Sequence, residues 1–248
     1  MKKIKVGAVS YLNTKPLLYG VKRSQLLMQQ IELIEDYPSK IAAMLVNSEI
    51  DIGLVPVAVI PQLKEWKIVT DYCIGTDGEV ASVCLFSEVP IEKIEKVLLD
   101  YQSKTSVNLA KILLKKYWKI NPEYENTKQD FKKRIKGTTA AVIIGDRALQ
   151  QRKISPYIYD LGSAWKAFTG LPFVFAAWVS NKKLPENFID LFNIANGIGV
   201  NNIEVVIAEN NDSIFDLHSY YSKHISFQLT RQKLKGMNLF LELLRSDV

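Results

Sequence analysis

The amino-acid sequence predicts an α/β protein with two lobes and a ligand cleft between them. Short apolar runs alternate with helical patterns through the first third of the chain, which is typical of strands joined by crossover helices. Two longer apolar runs, at residues 80–87 and 171–180, bracket a second stretch with the same alternation. The remaining C-terminal part is mostly helical in pattern, and we expect it to complete the first lobe.

The elements of the first lobe follow from local signals. Residues 4–8, 31–34 and 51–55 are short apolar runs and are predicted strands. Helices are expected to begin at Ser10, at Ser39 as an N-cap, and near Pro56, which suits a first helical position. Strands separated by short helices predict a parallel sheet with helices on both faces.

The second unit repeats this pattern. Strands are predicted at residues 97–100 and 139–144, an amphipathic helix at 105–117 and a helix start at 146–151. Further helices are expected at 186–199, 201–209, 213–221 and 229–244.

Because the two long apolar runs bracket an independent α/β unit, the first lobe is expected to be discontinuous. The chain should cross to the second lobe near residues 82–88 and return near 173–179. Residues 1–85 and 176–248 then form lobe 1, and residues 86–175 form lobe 2. In such proteins the ligand sits between lobes that close around a hinge; one continuous doubly wound sheet is the alternative.

Composition narrows the function classes. The 248 residues are 48% hydrophobic and 23% charged, which suits a globular protein with a real core. No run approaches the ~18 apolar residues of a membrane helix, so no membrane association is expected. The apolar stretch after the basic N-terminus is too short for a secretory signal and is interpreted as a first strand, so a cytoplasmic location is expected. The net charge of +6 is spread along the chain, so no nucleic-acid partner is expected.

Ligands of open α/β sheets bind beyond the carboxyl ends of the strands, where helix N-termini attract anions. Three predicted strand ends carry suitable polar groups: Ser10, Tyr11 and Asn13; Thr105 and Ser106 in the segment 103–106; and Gly145 with Asp146. Ser82 lies at the proposed crossing between lobes. Helix capping explains most of these residues equally well, so from the residues alone both interpretations stay open.

The sequence patterns typical of nucleotide binding, nucleophilic catalysis and metal binding are not found. The chain has no glycine-rich nucleotide motif and no nucleophile elbow. Cys73 and Cys84 have no metal-ligand spacing and are expected to be buried. His218 and His224 are the two histidines, and both fall in the helical C-terminal region, away from every predicted strand end. We therefore expect no metal and no cofactor, and an anion-binding cleft whose binding or enzymatic role is open.

Several motifs in order resemble one family. They are VSYLNTKPL (residues 9–17), IDIGLVPV (50–57), SVCLFS (82–87), Thr105-Ser106, IGDRAL (144–149), and DLG through Trp165 to GLPFVFA (160–176). Together they look like chorismate dehydratase of the futalosine route to menaquinone. A single motif of this kind would be weak, whereas the ordered set is specific.

The resemblance implies a type II periplasmic-binding-protein fold that works as a cytoplasmic carbon-oxygen lyase (hydro-lyase). It implies conversion of the dicarboxylate chorismate to 3-[(1-carboxyvinyl)oxy]benzoate with loss of water, by a monomer or homodimer. The sister enzyme, 1,4-dihydroxy-6-naphthoate synthase, is expected to open with a different motif and to use a histidine, which disfavours it here. A non-catalytic cytoplasmic carboxylate-binding protein is the other alternative.

The resemblance also assigns roles. Asn13 and Asp146 are the catalytic candidates; Ser10, Tyr11, Ser82, Thr105, Ser106 and Gly145 are the substrate-binding candidates. Our hypothesis is that Asn13 orients chorismate and that the enolpyruvyl carboxylate of the substrate assists proton removal, with Asp146 as the alternative base. The chain departs from the expected pattern at Thr14-Lys15 and at Lys104, where an arginine is expected.

Overall fold

The computed structural model describes residues 3–210 and 215–246. Its strands are β1 (Ile4–Val9), β2 (Ile31–Asp36), β3 (Ile52–Pro56), β4 (Lys67–Thr76), β5 (Val83–Ser87), β6 (Lys96–Leu99), β7 (Glu123–Asn126), β8 (Thr139–Ile144), β9 (Tyr157–Asp160), β10 (Phe173–Ser180) and β11 (Ser226–Gln228). Its α-helices are α1 (Lys15–Arg23), α2 (Gln25–Gln30), α3 (Pro38–Val46), α4 (Lys104–Ile112), α5 (Asp146–Gln151), α6 (Leu161–Thr169), α7 (Glu186–Val200), α8 (Ile203–Ala208), α9 (Leu217–Ser219) and α10 (Arg231–Ser246).

The strands form two sheets, and the mixed α/β class is confirmed. One sheet has six strands in the order β11-β4-β10-β3-β1-β2, and the other has five in the order β7-β6-β8-β5-β9. The parallel pairing predicted for the first three strands is confirmed, since β1 pairs in parallel with both β2 and β3. The two long apolar runs contribute antiparallel strands: β10 runs antiparallel to β3 and β4, and β5 runs antiparallel to β8 and β9.

We propose that each sheet is the core of one predicted lobe. The chain passes from the six-stranded to the five-stranded sheet between Thr76 and Val83, and it returns between Asp160 and Phe173. The predicted boundaries at 85/86 and 175/176 therefore fall inside β5 and β10. Each long apolar run was interpreted as a crossing segment, whereas most of it is a buried strand of a single sheet.

Aromatic packing joins the two sheets on the side of the return crossing. Trp165 of α6 lies edge-on to Phe173 of β10, with ring centroids 5.1 Å apart, and Phe240 of α10 contacts the same Phe173 ring at 5.1 Å. All three side chains are fully buried. Burying an aromatic ring of this size contributes ~1.5–3 kcal/mol, so this cluster holds α6 and α10 against β10.

The C-terminal region departs from expectation in its local structure. Part of the helix predicted at 213–221 lies outside the described residues; α9 continues into a π-helical turn, Tyr220–His224, which leads into the unpredicted strand β11. Among the described helices, none combines the length and the apolar character needed to cross a membrane.

Candidate functional site

The loop after β1 forms the first wall of the site. The Thr14 hydroxyl donates to the carbonyl oxygens of Val9 (2.5 Å) and Tyr11 (2.7 Å), closing a tight turn before Pro16 enters the first turn of α1. The helix therefore begins at Lys15 and not at residue 10 as predicted. The turn directs Tyr11 and Asn13 into the interlobe cavity, while Ser10 is exposed and does not line it.

The N-terminus of α4 forms the second wall. The Ser103 hydroxyl accepts a hydrogen bond from the Ser106 amide at 3.1 Å, so Ser103 is the N-cap of this helix. The side chain of Ser106 faces the cavity, where no other described residue hydrogen-bonds its hydroxyl. Thr105 is turned elsewhere: its hydroxyl accepts from the Ala58 amide at 3.1 Å, which ties α4 to the turn after β3.

The end of β8 supplies the third wall. Gly145 has a φ of +64°, and a Cβ atom on it would lie 3.1 Å from the Cδ2 and Cε2 atoms of Tyr11. The carboxylate of the next residue, Asp146, accepts a hydrogen bond from the Leu12 amide at 3.3 Å and so reaches the loop after β1. Burial raises the pKa of Asp146 above its usual value. Asp146 is not among the residues lining the cavity.

The crossing segment before β5 completes the enclosure through Val80 and Val83. Ser82, between them, is fully buried; its hydroxyl accepts from the Tyr220 hydroxyl at 2.6 Å, and its carbonyl accepts from the Gly145 amide at 2.8 Å. Ser82 therefore connects the C-terminal π-helical turn to the end of β8, and it does not line the cavity.

A cavity that is open to solvent on one side lies between these walls. Most of the lining is apolar: Val9, Pro38, Leu54, Pro56, Ile74, Val80, Val83, Ile144, Phe175 and Ala176. The polar groups come from Tyr11, Asn13, Thr14, Ser103, Ser106 and Gly145, and no lining residue in the described part of the chain is charged at neutral pH. The structure thus brings together the predicted Tyr11, Asn13, Ser106 and Gly145, and leaves Ser10, Ser82, Thr105 and Asp146 outside the lining.

A polar network behind Tyr11 was not predicted. The Tyr11 hydroxyl donates to Gln102 Oε1, and Arg147 Nη2 donates to the same oxygen at 2.7 Å. Arg147 also donates to both carboxylate oxygens of the buried Asp100, at 2.9 and 2.7 Å. Burial raises the pKa of Tyr11, so its phenol stays protonated and can donate. Asp100, Gln102 and Arg147 all follow strand ends, which is the signal that could have found them.

Both histidines lie in the helical C-terminal region, as predicted. His224 ends the π-helical turn, two residues before β11 begins, and its Nδ1 atom is 3.7 Å from Glu79 Oε2 in the segment that connects the sheets. His218 is exposed and pairs with Glu204 at 3.3 Å. Neither histidine lines the cavity. Within residues 3–210 and 215–246, no group of three or more His, Cys, Asp and Glu side chains could hold a metal ion.

Comparison with known proteins gives the family. The model of a family described as "Menaquinone biosynthesis" matches residues 4–246. The chain belongs to this family. The chorismate dehydratase of Campylobacter jejuni is 31% identical over 192 residues, covering 75% of this chain and 72% of that protein; the chorismate dehydratase of Thermus thermophilus is 25% identical over 203 residues with the same coverage. The resemblance drawn from the motifs is confirmed.

Solved structures similar to this menaquinone-biosynthesis protein share its fold. A protein of Archaeoglobus fulgidus superposes with a TM-score of 0.76 at 12% identity, covering 99% of this chain and 97% of that one. The periplasmic aliphatic sulphonate-binding protein of Escherichia coli gives a TM-score of 0.62 at 15% identity, covering 100% and 93%. A Candida albicans protein described as having the generic periplasmic binding protein fold gives 0.66 at 10% identity, covering 99% and 91%. The predicted periplasmic-binding-protein-like fold is confirmed.

The arrangement in this family member suits a small ring with polar substituents. The apolar side chains can contact both faces of a ring, while the Asn13 amide and the Ser106 hydroxyl can donate to its edge. The positive end of the α4 dipole favours an anionic substituent at that position.

Proposed function

We propose that this protein is a chorismate dehydratase, which converts chorismate to 3-[(1-carboxyvinyl)oxy]benzoate and water. The observation that supports this most is a largely apolar cavity with neutral hydrogen-bond donors, at the ends of β1, β6 and β8, in a chain whose relatives carry that name. The biosynthetic role implied by the resemblance supports a cytoplasmic location for the proposed reaction.

Chorismate has two carboxylates and a ring of two conjugated double bonds. We place one carboxylate at the N-terminus of α4, where Ser106 Oγ donates to it and the positive end of the helix dipole attracts it. Leu54, Ile74 and Phe175 contact the ring, and Asn13 donates to the polar edge on the opposite wall. Holding the substrate at two ends fixes the ring for reaction.

The reaction needs removal of one proton and loss of one hydroxyl. The ring hydrogen beside the enolpyruvyl ether is vinylogous to the ring carboxylate, so its removal places negative charge on that carboxylate. Hydrogen bonds from the protein to the carboxylate stabilise this charge. The adjacent hydroxyl then leaves, takes the proton and forms water, and the ring becomes aromatic.

The position of Asp146 favours the substrate as the base. Its carboxylate is engaged with the Leu12 amide and lies outside the cavity lining, whereas Asn13 faces the cavity but has no ionisable group. We therefore propose that Asn13 orients the enolpyruvyl carboxylate of chorismate, and that this carboxylate accepts the ring proton and passes it to the leaving hydroxyl.

The test is incubation of the purified protein with chorismate, followed by ultraviolet detection of an aromatic product and by mass spectrometry for the loss of one water. We expect Asn13→Ala to abolish turnover, Ser106→Ala to raise KM, and Asp146→Asn to retain most activity. Full turnover by Asn13→Ala together with complete loss in Asp146→Asn, with binding intact, would reverse the assignment of the base. Tight chorismate binding without any product would instead support the non-catalytic carboxylate-binding protein.

A further inference from the structure

The loop that carries Asn13 is held by residues of the other sheet. Tyr11 and Leu12 follow β1 of the six-stranded sheet, yet the Tyr11 hydroxyl donates to Gln102 and the Leu12 amide donates to Asp146. Gln102 follows β6 and Asp146 follows β8, both in the five-stranded sheet. Two consecutive residues of the loop are thus bonded across the cleft.

The orientation of the Gln102 amide is fixed by its neighbours. Its Oε1 atom accepts from both Tyr11 and Arg147, while its Nε2 atom donates to the Tyr101 hydroxyl at 2.9 Å. Arg147 is itself held by the buried carboxylate of Asp100. Because both the oxygen and the nitrogen of the Gln102 amide have partners, this side chain loses little further freedom when it holds Tyr11, and Gln102 is a preorganised acceptor.

Gln102 does not line the cavity, so it acts on the site through Tyr11. We propose that Gln102 is a positioning residue: it holds the loop of Tyr11 and Asn13 in the closed arrangement, with Asp146 holding the same loop at Leu12. This inference rests on the proposed function for its kinetic consequences. Loss of the Gln102 acceptor would leave the Asn13 side chain itself unchanged. The loop that carries Asn13 would then be free to move away from the substrate.

The experiment compares Gln102→Leu, which removes the acceptor, with Gln102→Glu, which keeps an acceptor oxygen beside Arg147. We expect Gln102→Leu to lower kcat/KM for chorismate about fivefold, the value of one neutral hydrogen bond, and Gln102→Glu to restore most of it. Tyr11→Phe removes the same bond from its other side, so adding it to Gln102→Leu should cause no further loss. Gln30→Leu is the matched control, because Gln30 is exposed and its side chain donates only to Leu26 of its own helix.

Hydrogen exchange separates this proposal from the proposed function. Without any substrate, the peptide covering residues 10–15 should exchange faster in Gln102→Leu and in Tyr11→Phe than in the wild type, Gln102→Glu or Gln30→Leu. Should the wild type fail to convert chorismate, the proposed function is wrong, while the exchange result still decides the role of Gln102. Unchanged exchange in Gln102→Leu and Tyr11→Phe, or additive kinetic losses in the double variant, would overturn the proposal.

Discussion

Gly145→Ala is the substitution that tests the geometry of the site most directly. Gly145 combines a φ of +64° with a ψ of −150°, a region of backbone conformation that is used almost only by glycine. An added Cβ would also lie 3.1 Å from two ring atoms of Tyr11. The substitution therefore strains the backbone and displaces a side chain from the cavity wall at the same time.

The two effects can be estimated separately. Placing a residue other than glycine in this region costs ~1–3 kcal/mol, and moving the Tyr11 ring away from its preferred rotamer costs a further ~0.5–1.5 kcal/mol. The free energy of unfolding should fall by roughly 2–4 kcal/mol. For a chain of this length, each kcal/mol shifts Tm by about 2–4 °C, so a decrease of about 5–15 °C is expected.

The assay is thermal unfolding together with kcat/KM for chorismate. Gly170→Ala is the matched control, since Gly170 also has a positive φ of 72° but an added Cβ would meet no atom within 4 Å. Gly170→Ala should lower Tm by less and leave kcat/KM unchanged. A Gly145→Ala variant with the same Tm as Gly170→Ala and full kcat/KM would show that the close approach of Tyr11 to Gly145 has no role.

Three further predictions concern buried polar groups. Tyr220→Phe should cost ~1–3 kcal/mol in chemical unfolding because the Ser82 hydroxyl loses its buried donor, and Ser82→Ala in the same chain should recover part of this loss. Burial raises the pKa of Asp146 above 3.8, so its contribution to stability falls as pH rises through the range just above that value; Asp146→Asn should flatten this part of the curve of unfolding free energy against pH. Burial also raises the pKa of the Cys73 thiol from 9.0 to about 11, so this thiol should resist alkylation in the folded protein. The free energy of unfolding should fall as the pH rises between those two values. The Cys73→Ala variant lacks the thiol and should not show this decrease.

The sequence allowed the cavity to be predicted through one rule, that ligands bind at the carboxyl ends of strands. β6 and β8 are parallel neighbours, so the residues that follow them, Ser106 and Gly145, come to the same edge of the sheet. β1 ends opposite that edge and contributes Tyr11 and Asn13. The positions of these residues follow from β1, β6 and β8 being strands, and for these three strands the local apolar pattern was sufficient to predict the element type.

The roles of Ser82 and Thr105 could not be predicted in this way. The Tyr220 donor to Ser82 is 138 residues away, and the Ala58 donor to Thr105 is 47 residues away. A hydroxyl at a strand end is equally able to bind a ligand or a distant part of the chain, so the tertiary partner decides its role. Short edge strands such as β11, with three residues, give too little periodicity to be detected.

The neutral lining of the cavity has a consequence for the proposed chemistry. A lysine or arginine paired with the enolpyruvyl carboxylate would bind it more strongly, but the opposite charge would lower the pKa of that carboxylate and weaken it as a base. In the proposed complex, hydroxyl and amide donors would hold the dianion with partial charges only, and the surrounding apolar side chains would raise its carboxylate pKa values by desolvation. Arg147, which shares the Gln102 oxygen with Tyr11, is already paired with Asp100 behind the wall. The cavity therefore suits a mechanism in which the substrate supplies the base and the protein supplies orientation, more than one in which a protein cation binds both carboxylates.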